Sequence, residues 1–152
     1  MIKVILLIIL CIVIYSFAPF SRNGENTISC TADVSYQWKQ DRMDLLITQT
    51  LLDGKGVLSM SGILYDKNET KSYLSKTISF SYLQNQFFYY FRSELIMNSP
   101  QMTMSLSDQK KWLPDFFTDN NMPLVLKIRP YGKDAWLFYA ENTPLFICER
   151  SN

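Results

Sequence analysis

Few residues of this chain could carry out chemistry, and their types exclude the common nucleophilic mechanisms. The sequence of 152 residues contains three cysteines and no histidine. Histidine is the usual base beside a serine or cysteine nucleophile and the commonest metal ligand, so its absence removes those nucleophile arrangements. Two cysteines without histidine also make a poor zinc site. The glycine-rich phosphate-binding motifs and the HExxH zinc motif do not occur in the sequence.

The carboxylates do not form a recognisable catalytic pattern either. Asp41, Asp44, Asp115 and Asp119 lie near predicted turns and helix ends. A glycosidase needs two facing carboxylates, and nothing in this spacing predicts such a pair. We interpret them as solvated turn residues and expect no enzyme activity, metal or cofactor. The net charge of +1 gives no electrostatic reason to expect direct nucleic-acid binding.

Two of the cysteines could form a disulfide. Cys30 and Cys148 lie near the two ends of the polar body of the chain, whereas Cys11 lies in an apolar segment. In an oxidising compartment such a pair predicts a disulfide, the alternative being two buried free thiols. The loop that it closes is long, so it could contribute about 4–5 kcal/mol through the unfolded state.

The apolar segment predicts a transmembrane anchor at residues 1–20. Residues 4–20 contain no charge, and a helix of about 19 residues would rise roughly 28 Å, close to the hydrocarbon thickness of a bilayer. The alternative is a cleaved signal peptide. We expect residues 2–20 to cross the bacterial inner membrane, with the N-terminus cytoplasmic. Residues 21–27 would then form a linker and residues 28–152 a periplasmic β domain.

Alternating apolar and polar side chains predict eight strands in that domain. A single helix is predicted between the fifth and sixth strands, capped by Ser107 and running from Asp108 to Phe117. The predicted strands cover residues 28–38, 43–52, 57–65, 70–83, 86–97, 123–129, 134–140 and 144–149.

Short connections and the Cys30–Cys148 pair predict that the first strand lies beside the last. The fold class is therefore mainly β: a transmembrane helix followed by an antiparallel barrel, or by an open sheet curled over one helix. A barrel of eight strands can be filled by side chains or can hold one small ligand. The aromatic residues predicted to point inward are either plain core or ligand-lining; they are Tyr36, Trp38, Phe80, Tyr82, Trp136 and Phe138.

The fifth strand carries aromatic residues on both faces. They are Phe87, Phe88, Tyr89, Tyr90 and Phe91. One face must meet the core, and the other must meet a partner, the membrane surface or a covering helix. The sequence leaves open which face is which. The domain's own helix could supply the cover through Leu113 and Phe117.

The short segment before a single anchor, the ISC segment at Cys30 and the LFICE segment at Cys148 resemble the FidL-like membrane proteins of enteric bacteria. That family is similar in layout to the periplasmic co-component proteins typified by ToxS and VtrC. The resemblance implies a lipocalin-like barrel that accompanies a membrane-spanning winged-helix regulator, sometimes completes its fold with that regulator, and in some cases binds bile salts.

Together, these observations favour a non-enzymatic accessory protein. We expect it to bind and stabilise a ToxR-like, membrane-anchored winged-helix regulator as a heterodimer through periplasmic domains. It would also help to sense an amphipathic small molecule such as a bile salt. The alternatives are a stand-alone, membrane-tethered lipid or small-molecule binding protein and a structural subunit of an envelope complex.

Overall fold

Eight strands, each with side chains alternating between buried and exposed, make up most of residues 27–151, which the computed structural model describes. Every predicted strand is present, and its bounds lie within two residues of the prediction. The strands are β1 (Ile28–Trp38), β2 (Asp41–Leu52), β3 (Lys55–Tyr65), β4 (Lys71–Asn85), β5 (Phe88–Asn98), β6 (Pro123–Tyr131), β7 (Ala135–Ala140) and β8 (Thr143–Arg150).

The predicted anchor at residues 1–20 lies outside the described residues, as does the linker except for Thr27. Within residues 27–151, no helix combines the length and the apolar character needed to cross a bilayer.

Each strand pairs antiparallel with the next, and β8 pairs with β1, so the sheet closes into a barrel. The prediction of a barrel is confirmed, and the alternative of an open, curled sheet is wrong. The seam between β1 and β8 is narrow. It contains two residue pairs, Cys30 with Arg150 and Thr31 with Glu149, whereas β5–β6 and β6–β7 share five each.

A disulfide crosses this seam. The Cα atoms of Cys30 and Cys148 are 5.4 Å apart, and both residues are fully buried. This distance supports the predicted pairing. The amide nitrogen of buried Gln49 lies 3.7 Å and 3.8 Å from the two sulfur atoms. The covalent link therefore joins the two neighbouring strands that share the fewest residue pairs.

Two glycines close together in the chain, Gly54 and Gly56, have different roles. Gly54 follows Asp53 in a two-residue hairpin turn, with φ of +48° at Asp53 and +78° at Gly54, which is the backbone that such turns favour. Gly56 instead lies inside β3 and is buried. A Cβ atom at Gly56 would overlap the ring of Phe80. Packing, rather than turn geometry, therefore requires glycine there.

The helix is shorter than predicted and begins earlier. It is α1 (Leu106–Trp112), and its N-cap is Ser105 rather than Ser107. The Asp108 N–H donates to Ser105 Oγ over 3.1 Å. Pro114 ends the helix because a residue before proline avoids the helical region, and Leu113 is accordingly extended. A separate 3-10 turn, Asp115–Phe117, follows.

Candidate functional site

The candidate site is a cavity of ≈ 280 Å³ inside the barrel, covered at one end by the segment containing α1 and the 3-10 turn. We call that segment, residues 105–119, the cap. Strand residues of the cavity wall include Tyr36, Ile47, Met60 and Phe91. The walls are apolar because the inward rows of these strands are apolar. The cavity is thus a natural place for an apolar molecule.

The cap closes the cavity with side chains that its backbone turns inward. Leu113 and Phe116 are buried. The Phe116 ring packs edge-on against Phe80 at 5.9 Å and against Phe91 at 6.2 Å, measured between ring centroids. Phe117, which the sequence predicts to face inward, lines the cavity as well but is only half-buried. The separate 3-10 turn rotates the chain after Pro114. The spacing of a continuous helix therefore does not predict which side chains after Pro114 are buried.

Lys76 ties the cap to the barrel wall. Lys76 is only 4% exposed, and its Nζ donates to the backbone oxygen of Phe117 over 2.8 Å. Burial lowers the pKa of Lys76, and the charge of Asp119 partly opposes that shift. A second link is the Ser93 hydroxyl, which donates to the Asp119 backbone oxygen over 2.8 Å.

One surface ion pair fastens the cap to the barrel, and a second joins two residues within the cap. Lys111 lies 2.8 Å from Asp41, and Lys110 lies 2.9 Å from Asp119. Hydrogen bonds from these lysines hold the pKa values of Asp41 and Asp119 below their usual range. Within residues 27–151 there is no group of acidic residues and cysteines suited to a metal ion.

A few polar groups interrupt the apolar wall. Burial raises the pKa of Tyr36, because its neutral phenol is favoured away from water. The indole N–H of Trp112 is buried and has no hydrogen-bond partner among the described residues. Gln49 supplies an amide beside the disulfide. Such a site suits a mostly apolar ligand.

Five of the six predicted ligand-lining residues divide into two groups. Tyr36 and Phe80 line this cavity. Phe138 is buried beside it, with its ring stacked on Phe146 at 4.9 Å. Tyr82 and Trp136 are half-buried towards the other end of the barrel, where Trp136 borders a groove that Thr27 also lines.

The expectation that Trp38 points inward is wrong. Trp38 is 49% exposed because it ends β1 beyond the packed interior. Its ring meets Trp112 of the cap edge-on at 6.2 Å. Phe116 also lines the cavity, although no sequence pattern predicts it, since only the path of the cap brings it over the barrel.

Alternate aromatic residues of β5 point to opposite faces of the sheet. Tyr89 and Phe91 are buried in the core, whereas Phe88 and Tyr90 point outward and Phe87 lies in the β4–β5 turn. The cap closes one end of the barrel and leaves the outward residues exposed. Tyr90 pairs with Leu83 on β4 and Val125 on β6. With Phe88 these residues form an outer apolar face, each between 41% and 76% exposed.

Fold and site together define a small, closed β-barrel with a helical cap over an apolar cavity. The sequence matches the family model of the YqeJ C-terminal domain over residues 25–148, so the chain belongs to that family. Among curated proteins and among solved structures, nothing matches the chain.

Proposed function

We propose that this protein is a non-enzymatic accessory protein, anchored in the bacterial inner membrane with its barrel in the periplasm. Its barrel binds the periplasmic part of a ToxR-like winged-helix regulator. The observation that carries this proposal is the outer apolar face of Leu83, Phe88, Tyr90 and Val125. The likeness to FidL-like and ToxS-type proteins, which rests on the anchor and the two cysteine segments, agrees with it.

The outer apolar face has the properties of an interface centre. Its four side chains lie on three adjacent strands, so they present one continuous surface. Aromatic residues are enriched at the centres of interfaces, and burying one such ring contributes about 2 kcal/mol. The Lys127 ammonium lies 5.9 Å from the centre of the Phe88 ring and provides a polar edge to the surface.

The test is co-purification of the full-length chain with a ToxR-like regulator of the same genome, taken first from a neighbouring gene. The double variant Phe88→Ser, Tyr90→Ser should fold normally and lose the regulator. The matched control is Leu46→Ser, Val57→Ser, since both side chains are similarly exposed on the outside of β2 and β3. The control should retain the regulator. Equal binding by both double variants would contradict the proposal.

The internal cavity favours a second function, the binding of a small apolar molecule. Its volume of ≈ 280 Å³ lies at the lower limit of pockets for drug-sized ligands, which span roughly 300–1,000 Å³. The closed barrel therefore suits a short acyl chain better than a bile salt, which would require the cap to move outward.

This second function can be tested with the full chain by following the fluorescence of Trp112, the cavity tryptophan. Decanoate should change the emission and deoxycholate should change it less. Trp112→Phe should abolish the decanoate signal. A stronger response to deoxycholate than to decanoate would contradict the size argument.

A further inference from the structure

One end of the barrel, opposite the cap, collects three hairpin turns and the start of the described chain. Because the strands are antiparallel, the β2–β3, β4–β5 and β6–β7 turns all lie at the end where β1 begins. Thr27 borders a groove there together with Phe87, Pro130 and Trp136.

Exposed apolar side chains and unpaired cations occur together at this end. Leu52, Phe87 and Tyr131 lie at or beside the three turns and are between 41% and 52% exposed. The Arg129 guanidinium lies 5.0 Å from the centre of the Phe87 ring. Neither Arg129 nor Lys133 forms an ion pair with another described residue. We call these five residues the anchor-side rim.

The other charges of this end include two ion pairs and two acidic residues. Lys55 pairs with Glu94 at 2.6 Å, and Arg150 pairs with Asp134 at 3.6 Å. Asp53 is the acidic residue of the β2–β3 turn. A second acidic residue, Glu149, lies opposite Ala135 at the start of β7. The positive charge of Arg129 and Lys133 is therefore a local cluster on β6 and the β6–β7 turn, next to Phe87 and Tyr131.

The length of the preceding chain brings this end close to any membrane that residues 1–20 enter. Six residues, 21–26, separate that segment from Thr27, and six extended residues span at most about 20 Å. The barrel itself is about 28 Å tall, from a strand of 11 residues at roughly 3.3 Å per residue and a tilt near 40°. The tether is thus shorter than the barrel is tall, so the rim is the end that it keeps within reach of the bilayer.

We propose that the anchor-side rim lies in the headgroup region of the bilayer and binds anionic lipid. Aromatic residues favour this region, where a ring can lie partly in the apolar layer, and cations there attract anionic headgroups. The barrel would then be held upright, with the outer apolar face at right angles to the membrane. This inference rests on the anchor of the proposed function, but not on the regulator.

The experiment uses the full-length chain in vesicles of phosphatidylethanolamine and phosphatidylglycerol, with and without bromine near the glycerol end of the acyl chains. Bromine quenches tryptophan fluorescence at short range. Tryptophan is introduced at the rim as Phe87→Trp or Tyr131→Trp. The matched control is Tyr73→Trp, because Tyr73 is similarly exposed near the cap end of β4.

Both rim variants should lose fluorescence on bromination beyond the loss of the native chain, and Tyr73→Trp should not. Removing phosphatidylglycerol, or combining Arg129→Gln with Lys133→Gln, should weaken the quenching. These aromatic exchanges at exposed positions leave the fold intact, which circular dichroism checks.

Rim variants quenched no more than Tyr73→Trp, on a chain that still floats with the vesicles, would overturn the inference and leave the anchor standing. A chain that does not float with the vesicles would remove the anchor and this inference together. Loss of the regulator from the Phe88→Ser, Tyr90→Ser variant is a separate observation, so the two proposals fail independently.

Discussion

Lys76 is the charged exception in an otherwise apolar inward row of β4. Leu74, Ile78 and Phe80 share its face, and all are buried. A buried ammonium is costly unless it is paired. The backbone oxygen of Phe117 supplies its hydrogen bond, and Asp119 supplies opposite charge nearby. Lys76 therefore holds the cap in position, although an apolar side chain at this place would pack into the core without the cost of burying a charge.

Lys76 should make stability depend on pH in the alkaline range. Burial lowers its pKa in the folded chain below the ordinary value of 10.5, so the unfolded chain keeps its proton to higher pH. The free energy of unfolding should therefore rise as pH increases from the folded pKa towards 10.5. Lys76→Met should lack this rise. Denaturant unfolding of both chains at several pH values measures it, and parallel curves would contradict it.

Phe116 should be the most important residue of the cap. Phe116→Ala should lower the free energy of unfolding by about 3–5 kcal/mol, since it removes a buried ring and enlarges the cavity. Phe117→Ala is the control, because Phe117 is adjacent and half-buried, and should cost clearly less. Denaturant unfolding decides between them. A larger loss in Phe117→Ala would show that the wrong ring was assigned to the interior.

At the scale of elements, close packing of β3 against β4 depends on a missing side chain. Gly56 pairs with Phe80 across the two strands, and the Phe80 ring occupies the space where a Cβ atom would lie. Phe80 in turn contacts Phe91 and Phe116. The contact thus links the barrel wall to the cap.

Gly56→Ala should lower the free energy of unfolding by about 1–3 kcal/mol, the usual cost of overpacking. Gly132→Ala is a useful comparison, because Gly132 has a φ of +65° but open space around it. Gly132→Ala should lower the free energy of unfolding by about 1 kcal/mol, because only the backbone conformation is affected. Thermal unfolding of both variants would test this. An equal or smaller loss in Gly56→Ala would mean that Phe80 moves aside freely.

At the scale of the whole molecule, barrel closure depends on the β1–β8 seam. The seam has two residue pairs, and it is supplemented by the Ser151 N–H, which donates to the Ser29 backbone oxygen over 3.0 Å. The disulfide joins residues separated by 118 positions. Its removal therefore affects both the weakest strand pairing and the entropy of the unfolded chain.

The double variant Cys30→Ala, Cys148→Ala should lose about 2–5 kcal/mol of stability. Amide exchange should increase first in β1 and β8, since these strands then separate most easily. Cys11→Ala serves as the control and should leave the exchange of residues 27–151 unchanged. Uniform acceleration across all eight strands would instead mean that the seam has no special weakness.

The sequence alone determined the strands, the turns and the scarcity of catalytic groups. Strand side chains alternate with a period of two whatever the strand packs against, so patterns such as residues 28–36 predict β1 directly. The positions of Cys30 and Cys148 also predicted which strands meet. Each of these inferences needs only local geometry or residue type.

Only the tertiary structure decided the path of the cap and the inward face of β5. Period two shows that the faces of residues 87–91 differ, but not which face meets the core. The alternating pattern also predicts wrongly that Trp38 points inward. Trp38 falls on the inward face of β1 by its spacing, but it lies past the end of the packed interior. Phe116 is buried more deeply than Phe117 because Pro114 breaks the helix and the 3-10 turn then packs on Phe80 and Phe91. These outcomes depend on contacts between residues far apart in the chain, and no local pattern encodes them.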